Sequence, residues 1–370
     1  MAAAFLMAGA SAVRAQQIDN VILITLDGVR TEEMFGGLDA AIYKSTLGEQ
    51  DKLEDQGPFK QYQAATPQAR REKLMPFFWT TLMRGHGSIA GNASAGAAGQ
   101  GIAGGVSQVR LSNTKRFSYP GYAELMLGVA YDAEIDSNDG KFYPHETVLE
   151  FLKRGLSLSD AQVAVFGSWE TFHYIPRQRE GVLTVNAGFE PYDSPTPGMS
   201  LLSAVQERVA PSFGGARYDE FTFQFAMDYL ARQKPRLLYM AMDETDDWAH
   251  ARRYDLVLKS LAQTDARLKA LWMWLERDPQ YRGRTAIIMT TDHGRGHTAK
   301  DWSSHGEKVE GAQETWMAFI VPGSPLRGEW STASTIHPSQ VAATIARLLG
   351  QDFTTSSPKA GKPIDQLFAK

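Results

Sequence analysis

TAIIMTTDHGRGH, residues 285–297, is an apolar run that ends abruptly in a cluster of polar side chains. The run predicts a buried strand, with Asp292 and His293 at its C-terminal end and Gly294 letting the backbone turn away. Open α/β sheets place their chemistry at that end of their strands. Two further stretches repeat the pattern. VILITLD, residues 21–27, ends on Asp27, and RLLYMAM, residues 236–242, is followed by Asp246 and His250. His305 comes shortly after the opening pair. Asp and His gathered at strand ends form a metal-site constellation before they form anything else.

Strand-like runs alternate with helix-like segments along most of the chain. AQVAVFGSW (161–169) and TWMAFIVPG (315–323) complete the strand candidates. Helical patterns cover YAELMLG (122–128), HETVLEFLKRG (145–155), YDEFTFQFAMDYLARQ (218–233), the long segment 254–278 and PSQVAATIARLLG (338–350). In the long segment Leu256, Leu261, Leu268, Leu271 and Leu275 recur at helical spacing. Near-continuous apolar strands between amphipathic helices predict an α/β fold, a mostly parallel central sheet with helices on both faces.

The chain has 370 residues, 43% hydrophobic and 22% charged, which fits one large α/β domain with insertions. A net charge of -4 argues against a nucleic-acid polymer as partner. No stretch is apolar for the roughly 18 residues that a membrane span needs. With no cysteine, a metal has to be held by oxygen and nitrogen donors.

Residues 1–16 read as the remnant of a signal peptide, a short apolar stretch ending in Val13-Arg14-Ala15, so export to the periplasm or beyond is expected. Residues 17–370 are then a single catalytic domain. Insertions are expected near 85–108, where the chain turns to Gly, Ala and Ser, and at 176–215, where it is irregular and rich in Pro and Gly. The first is read as bordering the mouth of the site and the second as shaping the substrate pocket.

Taken singly these residues carry little. Asp at a strand end often caps the next helix, and Asp246 and His250 four apart are commonly a surface pair. The joint order is what resembles the alkaline phosphatase superfamily, in particular its nucleotide pyrophosphatase/phosphodiesterase branch. The resemblance runs from VILITLDGVR to WMAFIVPG. It implies one metal on Asp27, Asp292, His293 and the nucleophile, and a second on Asp246, His250 and His305. FSYPGYAELMLG, residues 117–128, matches the family's nucleophile motif and makes Ser118 the nucleophile. His337 is an alternative late ligand, but HPSQVAATIARLL reads as a helix start.

A serine hydroxyl is a poor nucleophile near neutral pH and needs a base or a metal. No histidine lies near Ser118 in sequence, so metal activation is the economical reading. Three Asp and three His without Cys suit two Zn²⁺ ions, and a carboxylate-rich set also accommodates Mn²⁺. Asn138 stands at the spacing where the phosphodiesterase branch has an Asn that donates to a phosphoryl oxygen; as a turn residue before Asp-Gly it has an equally good structural role. Lys115 and Arg116 either neutralise a phosphate or are solvated loop charges. Arg295 and His297 are placed to line the pocket. Tyr122 occupies the position where formylglycine sulfatases have the Arg of C/S-x-P-x-R, which argues against that chemistry. The expected activity is hydrolysis of a small phosphoric ester, mono- or diester, through a phosphoseryl intermediate. The same metals would serve a phosphonate hydrolase, a phospho-group transferase or an inactive metal-binding relative.

Overall fold

The computed structural model describes residues 17–92, 107–209, 214–331 and 334–368. The expected signal segment and most of the Gly/Ala/Ser stretch lie outside them. The described strands, in chain order, are Asn20–Leu26 (β1), Ser88–Ala90 (β2), Gln108–Arg110 (β3), Val163–Gly167 (β4), Thr184–Ala187 (β5), Leu237–Met242 (β6), Thr285–Thr290 (β7), Glu314–Thr315 (β8), Met317–Ile320 (β9), Gly328–Glu329 (β10) and Thr335–Ile336 (β11). The main sheet runs β10-β2-β9-β7-β1-β6-β4-β5, and β11-β3-β8 form a small second sheet. Pairing is parallel throughout the main sheet except at β9, which is antiparallel to β7 and β2.

Alternate residues of the central strands feed opposite cores, as a period of two requires. Val21 and Leu23, Tyr239 and Ala241, and Ala286 and Ile288 join one cluster; Ile22 and Ile24, Leu238 and Met240, and Ile287 and Met289 join the other. The first face is covered by helices Ser118–Leu127, Val148–Gly155 and Val341–Leu348, the second by Asp219–Gln233 and Tyr254–Leu275. Both faces being covered explains why the strands read as unbroken apolar runs.

Register then positions the chemistry. β1 lies between β6 and β7, with Leu26 opposite Met242 and Thr25 opposite Thr290. The chain therefore leaves all three strands at one level, and the backbone N–H of Asp27 donates to the Met242 carbonyl at 2.9 Å. Asp27, Asp243 and the Asp292-His293 pair follow within three residues.

The expected insertions hold more structure than their composition predicts. A nine-residue π-helix, Phe78–His86, runs into the first from its N-terminal side, and β2 follows, pairing with β9 and β10 inside the main sheet. In the second, β5 adds the outer strand beside β4 and Met199–Gln206 is helical. Asp228 ties this segment down, accepting hydrogen bonds from Tyr192, Ser194 and Thr196. The 176–215 segment thus builds the sheet's edge. Among the described residues, no helix is long and apolar enough to cross a membrane.

Candidate active site

Ser118 is the first residue of the helix Ser118–Leu127, which ends at Gly128 in the left-handed conformation that glycine adopts without strain. The preceding loop is held by a buried acid. Glu124, fully enclosed, accepts from the backbone N–H groups of Ser112, Asn113 and Ser339 and from the Asn113 amide. Asn113 in turn accepts from the Arg116 N–H at 2.8 Å. Gly121 lets the helix lie directly on the chain at Asp292, because a Cβ there would sit 2.3 Å from the Asp292 carbonyl oxygen. Gly294 is likewise a matter of space more than of turning: its Cβ would meet the Glu314 carbonyl oxygen at 2.2 Å.

Seven sequence-predicted residues converge. Nε2 of His293 lies 3.4 Å from Ser118 Oγ, 3.4 Å from Asp27 Oδ1, 3.4 Å from Asp292 Oδ2 and 3.6 Å from Asp246 Oδ1. Its other ring nitrogen faces the Gly294 carbonyl at 2.9 Å. Beside this group, His250 Nε2 stands 3.0 Å from Asp246 Oδ2 and 3.0 Å from His305 Nε2. The donor atoms of Asp27, Asp292 and His293 lie within 4.8 Å of one another, as do those of Asp246, His250 and His305. His337 is elsewhere, with Nδ1 facing the Arg110 carbonyl at 2.7 Å.

These donors fit divalent cations. Asp27 Oδ1, Asp292 Oδ2 and His305 Nδ1 are buried without a hydrogen-bond partner among the described residues, and orphaned buried carboxylate oxygens are costly unless an ion meets them. Burial and the charge of Asp27 push the Asp292 carboxyl up to about 7. Against a burial that pulls it down, Asp292 and Asp27 hold the His293 imidazole up at about 9. Burial, followed by the positive charge of His293, holds His250 and His305 below the ordinary histidine value.

The sequence pattern missed several supporting groups. Tyr122 Oη donates to Asp27 Oδ2 at 2.8 Å, so the residue that stands where sulfatases carry Arg here fixes a carboxylate. Thr245 Oγ1 donates to the Asp27 carbonyl at 2.6 Å, and the Gly28 N–H donates to Asp292 Oδ1 at 3.1 Å. Asp243, at the end of β6, is pushed well above the carboxylate range by burial and by its neighbour Asp247. Asp243 could have been found as the third strand-end acid; Tyr122 carries no sequence signal of its role.

Asn138 is exposed and adjoins the nucleophile, its Oδ1 accepting from the Tyr119 N–H at 3.0 Å. That bond caps the helix and fixes the amide, leaving Nδ2 as the outward donor. Lys115 and Arg116 are tethered charges: Lys115 pairs with Glu307 at 2.8 Å and Arg116 donates to the Glu307 carbonyl at 3.0 Å. Arg116 also accepts on its carbonyl from Gly306 N–H at 2.9 Å, which joins the nucleophile loop to the His305 loop. His297 does not join the converging donors; its Nδ1 contacts Glu32 and its Nε2 lies 3.7 Å from Glu314. A cavity of about 470 Å³, lined by His86, Trp272, Tyr281 and Thr285, opens at the opposite end of β7. Converging donors, and not cavity size, mark the site.

At the level of sequence, no family model and no curated protein matches the chain. Solved structures do match its shape. The alkaline phosphatase PafA, in a quadruply substituted form, aligns with a TM-score of 0.55 at 10% identity, covering 95% of this chain and 99% of that one. A phosphonate monoester hydrolase of Agrobacterium radiobacter aligns with a TM-score of 0.55 at 11% identity, over 94% and 77%. BT1596, a 2-O GAG sulfatase, aligns with a TM-score of 0.54 at 13% identity, over 95% and 74%. The chain has the fold of these alkaline-phosphatase-like enzymes, as its alternating apolar and amphipathic runs and the order of its Asp and His motifs led us to expect.

Proposed function

We propose that this alkaline-phosphatase-like fold carries a two-metal hydrolase of phosphoric esters with Ser118 as nucleophile. The observation behind this reading is the single nitrogen, His293 Nε2, ringed by Ser118 Oγ and three carboxylate oxygens at 3.4–3.6 Å. In a serine–histidine–acid triad the acid would bond the other ring nitrogen. Here that nitrogen faces a backbone carbonyl, so the arrangement favours a metal cage over a charge-relay pair.

One cation would be held by Asp27, Asp292, His293 and Ser118, the other by Asp246, His250 and His305. When bound, such ions lower the pKa of an oxygen nucleophile and offset negative charge developing at the phosphoryl group. The chain does the rest. Ser118 Oγ attacks phosphorus from the start of its helix, where the helix dipole favours an anion. The phosphorus–oxygen bond to the ester alcohol breaks, and the alcohol leaves with a proton from solvent. Water then cleaves the phosphoseryl ester and Ser118 recovers its proton. Asn138 Nδ2 would hold a non-bridging phosphoryl oxygen throughout. Tyr122 and Gly28 keep Asp27 and Asp292 from rotating between steps.

The fold alone serves phosphate, phosphonate and sulfate esters, judging from the named neighbours, so the residues have to decide. Tyr122 in contact with Asp27 speaks against a formylglycine sulfatase. Lys115 and Arg116, tethered beside the nucleophile, favour an anionic ester. Rates on aryl phosphate monoester, phosphodiester, phosphonate and sulfate substrates, measured with zinc-loaded and chelated protein, test the reading. Hydrolysis of the sulfate alone would contradict it.

A further inference from the structure

The two donor clusters differ in charge. One brings two carboxylates, Asp27 and Asp292, to one imidazole; the other brings one carboxylate, Asp246, to two imidazoles. Asp246 is also claimed from behind. Its Oδ1 touches the Arg295 guanidinium, in an ion contact without hydrogen-bond geometry. Arg295 is buried and spans three backbone carbonyls, with Nε on Gly28 at 3.1 Å, Nη1 on Ser303 at 2.8 Å and Nη2 on Asp246 at 3.2 Å. Little room remains around the contact: at Gly28, where φ is +60°, a Cβ would lie 2.5 Å from Asp246 Oδ1 and 2.8 Å from Arg295 Nε. The guanidinium cannot swing aside without breaking those three bonds.

We propose that Arg295 makes Asp246, His250 and His305 the weaker of two cation sites, so that Asp27, Asp292 and His293 load first. This rests on the two-metal reading above. A fixed positive charge against the second cluster's carboxylate repels an arriving cation, and burial keeps that repulsion from being screened. Exposure adds to the asymmetry. The His250 side chain is 49% exposed, whereas those of Asp27, Asp292 and His293 are at most 1% exposed. The first ion sits in a closed cage, and the second can exchange with solvent. The second ion would use Asp246 Oδ2, on the His250 side, while Arg295 keeps Oδ1.

The experiment equilibrates metal-free full-length protein with buffered Zn²⁺ and counts bound metal by mass spectrometry. Two steps are expected, separated by at least about tenfold in affinity. His250→Ala should remove the weaker step and Asp292→Asn the tighter one. Arg295→Met, which removes the charge, should tighten the weaker step by at least about tenfold, while Arg295→Lys should leave it weak. Two steps of equal affinity, loss of the weaker step in Asp292→Asn, or a weaker second step in Arg295→Met would overturn the assignment. If Arg295→Met does not fold, the wild-type and His250→Ala titrations decide. Absence of any bound zinc would overturn the two-metal reading and this inference with it.

Discussion

Gly121 packs against Asp292 with only backbone between them, so that an added Cβ would lie 2.3 Å from the Asp292 carbonyl oxygen. One turn earlier on the same helix stands Ser118. The nucleophile and the strand-end pair therefore keep their spacing through this contact. Gly121→Ala should cost about 1–3 kcal/mol in urea unfolding, the range for overpacking a tight interior. It should also lower kcat/KM by about 100-fold, because shifting a reacting group by an ångström costs that much. Unchanged stability and rate would show that the helix can slide.

Tyr122→Phe removes the hydroxyl that holds Asp27 Oδ2 and little else. Partners that orient metal ligands are worth roughly 10–100-fold in metal affinity. Zinc content at limiting free zinc should fall by that factor with the unfolding midpoint nearly unchanged. Wild-type zinc affinity in the variant would show that Tyr122 has no part in holding a metal at Asp27.

Asn138 separates capping from catalysis. Asn138→Asp keeps an acceptor for the Tyr119 N–H but loses the Nδ2 donor, whereas Asn138→Ala loses both. A hydrogen bond to a charged group contributes about 1.5–3 kcal/mol, so kcat/KM should fall roughly 10–100-fold in Asn138→Ala. The drop should be larger in Asn138→Asp, where a carboxylate faces an anionic substrate. If only thermal stability changes, Asn138 is a cap and nothing more.

Away from the clusters, His297 and Glu32 give a pH signature. The hydrogen bond to Glu32 holds the His297 imidazole above its ordinary value of 6.5. Against a burial that raises it, Arg30 and then His297 hold the Glu32 carboxyl down at about 2. The raised group stabilises fully below its unfolded value and loses that contribution as pH rises through the folded one. The lowered group stabilises above its unfolded value, 4.5, and loses that as pH falls toward 2. The pair is therefore strongest between 4.5 and 6.5. His297→Gln should cost about 0.5–1 kcal/mol near the middle of that window, the range for a partly exposed pair. Urea midpoints should converge with wild type toward high pH. A constant gap across pH would mean that packing, not charge, is lost.

Much of this was legible in the sequence because the signals are local. Apolar runs that end at Asp27 and Asp292 and that precede Asp246 announce parallel strands, and parallel register brings their ends together without further information. Asp246 and His250 are one helical turn apart, which the helix Glu244–His250 realises. What was illegible depends on distant contacts. β2, β5 and β10 are too short to show alternation and are recruited by the sheet they join. The Gly121–Asp292 and Tyr122–Asp27 contacts join residues 171 and 95 positions apart, and no spacing rule reports them. Gly294 was expected for the wrong reason, backbone freedom, when the neighbouring Glu314 carbonyl is what excludes a side chain.

In the proposed reaction Ser118, in a site that would hold divalent metal, cleaves phosphoric esters. Hydrolysis of aryl phosphate by zinc-loaded wild type, chelated wild type and zinc-loaded Ser118→Ala tests it most directly. Turnover is expected in the first alone, with all three preparations unfolding cooperatively. Undiminished turnover by Ser118→Ala, or by the chelated enzyme, would contradict it.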